Sequence, residues 1–338
     1  MADLMEFGAA ADAALAQAMR ADDTIIVFGE DTPMIRRDLL VRFGPDRVRA
    51  APISESAFLG AAVGAAMGGL RPVVEVQLVD FLAVGLSALL NEAAKVSAFS
   101  GGRWDAPLVV RATCGGGYGD GGQHEQALWG MLAGIPGLSV VVPSNPADAA
   151  GLMLAAIESA GPVVYLEHKL LSETWLEFMG GSGRKSVAFD VPEAGRRGMV
   201  SEPIASVPLG DAAVIRTGEE VTLVSLAVGV HRCLEAAEML ADRNIGATVV
   251  DLRSVAPLDA DTIVREVTRT GRVVVVDEDY MRGGLSGEIA ARLAGAGIDA
   301  QYARVTTETT IPYARHLEDE VLPSVKRIVA AVDSFDIG

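Results

Sequence analysis

The sequence predicts an α/β protein of two domains, each built on a mostly parallel β-sheet with helices on both faces. Two observations support this fold class. Short runs of apolar, β-branched residues alternate with helical patterns along nearly the whole chain, which is typical of parallel sheets. The alternation stops between about residues 172 and 216, where glycine, proline and mixed charges dominate, and then resumes. The length of 338 residues also exceeds one ordinary core.

The first domain begins with an amphipathic helix over residues 5–20 and a buried strand over 24–29. Its strands are recognised by β-branched and aromatic runs, and its helices by an apolar period near 3.6. The later elements are a helix from Glu55, a strand 72–81, a helix 83–98, a strand 107–112, a glycine-rich loop, a helix 124–134, a strand 138–144, a helix 146–159 and a strand 162–168.

The second domain repeats the alternation on a smaller scale. Its elements are a strand 220–227, a helix 231–243, a strand 247–255, a helix 259–269, a strand 272–279, a helix 284–294 and a strand 300–305. We therefore expect a first domain over 1–185, a connection over 186–215 and a second domain over 216–338.

Composition excludes several classes of protein. The chain carries 28 Lys and Arg against 45 Asp and Glu, a formal net charge of −17, so nucleic acid and anionic membranes are not expected partners. Two cysteines without metal-site spacing indicate neither a disulfide framework nor zinc. The N-terminus lacks a signal-peptide pattern, and the longest uncharged apolar stretch, residues 58–70, is shorter than a membrane span. A cytoplasmic protein is expected.

The helix from Glu55 carries glycines four residues apart, at Gly60, Gly64 and Gly68. Glycine inside a helix costs about 1 kcal/mol relative to alanine, so three of them need close packing against another backbone. That backbone belongs either to the same domain, if this is a core helix, or to another subunit. Both alternatives stay open at this point.

Acidic side chains stand where ligands usually bind in α/β proteins. Glu30 and Asp31 follow the first buried strand, at the edge of the sheet where ligands usually bind. Glu55 begins a helix among apolar residues. Glu30 and Asp31 can be ordinary solvated acids of a loop. Glu55 can be an ordinary acid at a helix N-terminus, where the helix dipole favours a negative charge. The functional alternative for Glu55 is a carboxyl group held in an apolar pocket for proton transfer.

The loop over residues 114–124 has six glycines among eleven residues and ends on His124. Such a loop lets the backbone approach a ligand or move as a lid. It lacks the Gly-Lys-Ser/Thr of a phosphate loop. Asp120 and Asn145 fall near the spacing of a thiamin-type magnesium motif, but Asp120 lies inside a glycine run and not at a strand end. We interpret that match as coincidence.

Taken in order, several blocks resemble the beta subunit of thiamin diphosphate-dependent 2-oxo acid dehydrogenases of the pyruvate, branched-chain and acetoin type. The blocks are GEDT (29–32), FGPDRV (43–48), PISESAFLGAAVGAAMGGLRPVVEVQLVDF (52–81), NEAAK (91–95), SGGRWDAPLVVR (100–111), QHEQ (123–126), PGLSVVVPSNPADAAGL (136–152), GPVVYLEHKLL (161–171), VVDLRSVAPLD (249–259) and GGLSGEIAARL (283–293).

The resemblance implies an N-terminal pyrimidine-binding domain and a C-terminal transketolase-like domain. It also implies an α2β2 heterotetramer with an alpha subunit that holds the diphosphate and magnesium, and a lipoyl acyltransferase core as acceptor. The substrate would be a small 2-oxo acid or acetoin, with SESAF and LEHKLL closest to the acetoin branch. The acidic surface would suit a basic docking domain on that core.

The matching motifs also imply a role for individual residues of the site. Glu55 falls on the glutamate that hydrogen-bonds N1′ of the cofactor's aminopyrimidine, and Phe81 on the aromatic that packs on that ring. His124 falls on the histidine that handles the intermediate and acyl transfer. Glu30 matches the acid of the family's Gly-Glu-Asp motif. The family's structural potassium would be bound at Leu108, Ala156, Ile157, Ser159 and Gly161.

Two differences from the family's sequence pattern affect the predicted function. The segment after Glu30, residues 32–44, is shorter than in relatives, and Glu125 replaces the serine of the family's His-Ser-Gln. Two other functions are therefore carried forward. One is a two-chain thiamin-dependent carboligase or transketolase-like enzyme without a lipoyl acceptor. The other is a non-catalytic assembly subunit that retains the fold.

Overall fold

The computed structural model describes residues 2–180 and 189–336. Within these ranges the strands, in chain order, are β1 Ala2–Glu6, β2 Ile25–Gly29, β3 Val48–Ala50, β4 Arg71–Leu78, β5 Val109–Cys114, β6 Ser139–Val141, β7 Val163–His168, β8 Arg197–Ser201, β9 Ala213–Arg216, β10 Val221–Ser225, β11 Ala247–Asp251, β12 Ser254–Ala256, β13 Arg272–Tyr280 and β14 Gln301–Thr307.

The helices are α1 Phe7–Ala21, α2 Thr32–Ile35, α3 Arg37–Phe43, α4 Glu55–Met67, α5 Leu82–Ser87, α6 Val96–Ser100, α7 Trp129–Ala133, α8 Pro146–Glu158, α9 Glu173–Gly180, α10 Glu193–Arg196, α11 Val228–Ala241, α12 Ala260–Thr270, α13 Leu285–Gly295, α14 Arg315–Val321 and α15 Val325–Asp333. A 3-10 turn, Val79–Phe81, precedes α5, and a π-helical segment, Ala88–Ala93, follows it.

A seven-stranded sheet in the order β12-β6-β7-β5-β4-β2-β3 organises the first domain. All neighbours pair in parallel except β12, which is antiparallel to β6. The central strands β5 and β7 are buried along their whole length, as expected for a sheet covered on both faces. Helices α1 and α8 pack together over one face, and α4 lies over the other.

The second domain contains a five-stranded sheet in the order β14-β13-β10-β11-β9, parallel except for the β9 edge. The chain leaves β11 and at once adds β12 to the edge of the first sheet. Buried residues from both domains, such as Val110 and Val250, belong to one apolar cluster. The two sheets therefore share a packed junction.

The fold differs from the sequence prediction at several places. The predicted helix 83–98 is divided into α5, the π-helical segment and α6, and the predicted helix 124–134 is helical only from Trp129. Part of the predicted connection forms β8, which pairs with the N-terminal strand β1. The predicted domain boundary at residue 185 lies outside the described residues.

Residues Val79–Ser100 form a helical run of 22 residues with a mean hydropathy of 1.2, enough for a membrane span by length and composition. The run includes Asp80, Glu92 and Lys95. Core helices of soluble proteins meet the same criteria, so this single run is weak evidence for a membrane.

Candidate active site

Three neighbouring parallel strands, β2, β4 and β5, end at one edge of the large sheet. Glu30 follows β2, Phe81 lies in the 3-10 turn after β4, and the glycine-rich loop with His124 follows β5. The carboxyl edge of a parallel sheet is where α/β proteins bind ligands, because loops from adjacent strands converge there. The predicted side chains are thus brought to one side of the sheet.

Glu55 and Glu30 lie close enough for their charges to interact. Glu55 is the first residue of α4, and only 8% of it is exposed. Burial, together with the charges of Asp31 and Glu55, raises the pKa of Glu30. Helix α5 comes so near that a Cβ on Gly85 would lie 3.0 Å from the Glu55 carbonyl oxygen. The N-terminus of α4 is therefore held in a confined, acidic corner.

Phe81 and His124 form the second part of the site. Their ring centroids are 5.9 Å apart, and the rings meet edge to face at 81°. The Nδ1 atom of His124 is buried and has no hydrogen-bond partner among the described residues. Lys169 Nζ donates a hydrogen bond to the His124 carbonyl oxygen, which fixes the backbone. A buried ring nitrogen without a protein partner points to a functional role for this imidazole.

Gln126 joins the loop to both domains. Its Nε2 donates to Asp80 Oδ1 at 2.6 Å, and its Oε1 accepts from the Tyr280 hydroxyl at 3.0 Å. Its carbonyl accepts from the Gly115 amide at 3.1 Å. Burial raises the pKa of Asp80, although the hydrogen bond from Gln126 opposes the rise. The chain of hydrogen bonds spans the domain junction beside Phe81.

The start of the glycine loop packs tightly against the second domain. Gly115 adopts a φ of +92°, and a Cβ there would lie 2.1 Å from His168 Nε2, so only glycine fits. The next amide, of Gly116, donates to Glu278 Oε1 at 2.6 Å, and His168 Nε2 lies 3.0 Å from Glu278 Oε2. Burial opposes the ionisation of Glu278, but the charge of His168 holds the pKa of this carboxyl below its ordinary value.

Sequence reasoning missed the residues that hold the loop. Gln126 and Lys169 lie inside the quoted blocks QHEQ and LEHKLL, which was the available signal. Glu278 and Tyr280 come from β13, more than a hundred residues along the chain, and no local pattern links them to the loop.

The metal interpretation of Asp120 and Asn145 gains no support. Asn145 caps α8, because its Oδ1 accepts from the Asp148 amide at 3.0 Å and its Nδ2 donates to the Asp148 carboxylate at 2.7 Å. Residues 2–180 and 189–336 contain no group of three or more His, Cys, Asp or Glu that could hold a metal ion. The interpretation of the match as coincidence stays a prediction.

Three of the five carbonyl groups expected at a potassium site accept hydrogen bonds from protein atoms. Arg71 Nη1 donates to the carbonyls of Ile157 at 2.7 Å and Ser159 at 3.2 Å. The Leu108 carbonyl accepts from the Val163 amide at 2.9 Å. The cavity beside Arg71, Leu108, Ile157 and Ala156 is too small for a water molecule. In this arrangement the residues do not fit potassium, and a guanidinium group supplies the positive charge.

Two family models match the chain: the transketolase pyrimidine binding domain over residues 4–173 and the transketolase C-terminal domain over residues 210–328. With the two mostly parallel sheets, they define a thiamin-dependent protein of the transketolase type and confirm the predicted fold class.

Similar proteins of known name define the family within this class. The chain is 36% identical to the acetoin:2,6-dichlorophenolindophenol oxidoreductase subunit beta of Cupriavidus necator, over 98% of this chain and 97% of the relative. It is 36% identical to the pyruvate dehydrogenase E1 component subunit beta of Rickettsia bellii, over 94% of each chain. The chain belongs to the family of beta subunits of thiamin diphosphate-dependent 2-oxo acid and acetoin dehydrogenases, which are oxidoreductases.

A solved structure described as a split gene transketolase, inactive beta4 tetramer, matches with a TM-score of 0.77 and 23% identity. The match covers 97% of both chains. At this identity the likeness shows the fold alone.

Proposed function

We propose that this chain contributes the pyrimidine half of a thiamin diphosphate site and that an alpha subunit contributes the diphosphate and magnesium half. The observation that carries the proposal is the corner where buried Glu55 meets Glu30, at the same sheet edge as the Phe81–His124 pair. The described residues offer no metal-ligand cluster beside it. A half-site of this kind needs a partner chain.

The residues fit the aminopyrimidine part of the cofactor. A buried carboxyl group at a helix N-terminus can form a hydrogen bond to a ring nitrogen, and a half-buried aromatic ring can pack on a flat heterocycle. When bound, thiamin diphosphate supplies the carbon nucleophile and the electron sink. Glu55 would hold a proton at the pyrimidine N1′ atom, and Phe81 would orient the ring.

His124 would act on the substrate side of the site. Its ring contacts Phe81, and its Nδ1 has no partner among the described residues, which supports a role as proton donor or acceptor beside the expected ring position. We propose that it handles protons during cleavage of a small 2-oxo acid or acetoin and transfer of the acyl group to a lipoyl domain. The names of the relatives, acetoin and pyruvate enzymes, support this substrate range.

The glycine face of α4 supports a multi-chain assembly. Gly60 and Gly64 are exposed, and a Cβ on either would meet nothing within 4 Å. The opposite face, including Leu59 and Ala62, is buried in this chain. Of the two alternatives left open by the sequence, this geometry favours the subunit interface. We propose that the face packs within an α2β2 heterotetramer, which in turn binds a lipoyl acyltransferase core in the cytoplasm.

Co-expression with the alpha subunit tests the proposal. The purified complex should carry out thiamin-dependent reductive acylation of a lipoyl domain, and this chain alone should not. Thiamin-dependent turnover without lipoyl acylation would favour the carboligase or transketolase-like alternative. A complex that assembles but binds no thiamin diphosphate would favour the non-catalytic subunit.

A further inference from the structure

Two fully buried glutamates from different domains meet behind the histidine loop. Glu125 follows His124, and Glu318 lies on α14 of the second domain; neither side chain reaches solvent. Contact between their carboxyl groups contributes to raising the pKa of Glu125. Two carboxylates in one buried site do not both ionise readily, so we expect the pair to hold one proton.

The same two side chains hold the glycine loop by its backbone. Glu125 accepts hydrogen bonds from the amides of Tyr118 at 2.7 Å and Gly121 at 2.8 Å. Glu318 accepts from the amide of Gly117. Hydrogen bonds to charged groups are stronger than ordinary ones, and buried amides need acceptors. The pair therefore ties the loop before His124 to the second domain.

We propose that Glu125 and Glu318 form a proton-sharing latch that positions the glycine loop, and through it His124, for the reaction. Glu125 is thus a positioning residue. The proposal rests on the proposed role of His124, but the latch itself can be observed without turnover.

The charges around the pair are defined. Lys169 is the charged group of the first domain that acts on Glu125, and Asp120 in turn acts on Lys169; on the second domain Arg315 Nη1 lies 3.4 Å from Glu318 Oε2. Burial is the largest influence, and with the neighbouring Glu318 it raises the pKa of Glu125 to about 8, although Lys169 opposes the rise. Below that pH Glu125 keeps its proton. Above it, Glu125 acquires a negative charge inside the buried junction, and we expect the loop to loosen.

The test is the pH profile of kcat in the assembled alpha–beta complex. The wild type should lose activity above about pH 8. Glu125→Ala, which removes the acceptor for two amides, should lower kcat about 10- to 100-fold at every pH through misplacement of His124. Glu125→Gln stays neutral and keeps an acceptor for one of the two amides, so its kcat should lie between those of Glu125→Ala and the wild type, and its alkaline limb should move up by at least about one pH unit. Glu318→Gln should move it likewise.

Glu288→Gln, on the exposed face of α13, is the matched control and should leave the profile unchanged. An alkaline limb that is the same in wild type, Glu125→Gln and Glu318→Gln would overturn the latch.

Hydrogen exchange of residues 115–126 in the complex gives a readout independent of activity. Exchange should rise above about pH 8 beyond its intrinsic pH dependence in the wild type, and less in Glu125→Gln. If exchange follows this pattern in a complex without acyl transfer, the latch stands and the proposed function fails. If acyl transfer occurs but exchange has no such transition, the function stands and the latch fails.

Discussion

At the residue scale, the two acids of the site differ in environment. Glu55 begins a helix and is buried, whereas Glu30 is half-buried and its pKa is raised by burial and by the neighbouring charges of Asp31 and Glu55. A buried carboxyl group at a helix N-terminus is suited to holding a proton at a ring nitrogen. Glu30 adds a second carboxyl group near the N-terminus of α4.

Glu55→Gln in the alpha–beta complex should therefore reduce kcat by roughly 100-fold or more, because general acid–base groups contribute about 10²–10⁴. Gln keeps the volume and a hydrogen-bonding group, so assembly should be unaffected. Steady-state kinetics and size-exclusion chromatography measure the two quantities. Turnover within a few-fold of wild type would reject the role of Glu55.

Arg71 leads to a second prediction. Since its guanidinium donates to the Ile157 and Ser159 carbonyls, the thermal stability of the wild type should not depend on potassium. Arg71→Ala removes that cation and exposes the carbonyls, so its Tm should be lower and should rise with potassium more than with sodium. Differential scanning calorimetry in the two salts makes the comparison. A wild-type Tm that rises specifically with potassium would contradict this account.

At the scale of elements, α4 has two different faces. Its buried face holds the first domain together, and its exposed face of Gly60 and Gly64 has no partner in this chain. Gly64→Ala should leave the free subunit as stable or more stable by up to about 1 kcal/mol, because helix propensity improves.

Gly64→Leu should also fold, yet it should block assembly with the alpha subunit because the side chain fills the approach path. Analytical ultracentrifugation of the mixed subunits measures this effect. The same substitution at the exposed Gly295 of α13, Gly295→Leu, is the control, because a Cβ there also meets nothing within 4 Å. Normal assembly of Gly64→Leu would remove α4 from the interface.

The elements show what sequence could predict. Buried strands such as β5 and β7 were predictable because β-branched runs have few alternatives in a parallel sheet. The helix expected from His124 was wrong over its first turn. There the Glu125 side chain accepts loop amides, and the Gln126 carbonyl accepts from Gly115, so the segment is committed to tertiary contacts that local periodicity cannot reveal.

The same contrast between local patterns and tertiary contacts applies to the candidate site. Glu55 and His124 were proposed as site residues because their blocks are local and specific. Glu278 and Glu318 were not, since their importance comes from contacts across the domain junction.

At the scale of the whole molecule, buried carboxyl groups of the second domain accept hydrogen bonds from the first domain. Asp277 accepts from Trp129 Nε1 at 2.9 Å, Asp279 accepts from the Gly130 amide at 2.8 Å, and Asp251 accepts from the Ser144 hydroxyl. These three contacts hold the second domain against the first.

Asp251 gives this junction a pH dependence. Burial, with the charge of Asp148, raises the pKa of Asp251 to about 7. Between about pH 4 and pH 7 the unfolded chain loses this proton and the folded chain keeps it. The free energy of unfolding should therefore fall by up to roughly 4 kcal/mol as pH rises through that window, and level off above it.

Asp251→Asn should remove that part of the dependence. Urea unfolding at pH 5 and pH 8 measures it, with Asp261→Asn, which is exposed, as the control. A pH dependence equal to that of the wild type would show that Asp251 does not titrate as stated.

The central claim is that this chain holds half of a thiamin diphosphate site. Calorimetric titration of thiamin diphosphate with magnesium tests it most directly, on this chain alone, on the alpha subunit alone and on the reconstituted complex. We expect strong binding only in the complex, weakened by Glu55→Gln. Binding of full strength by this chain alone, with turnover, would contradict it.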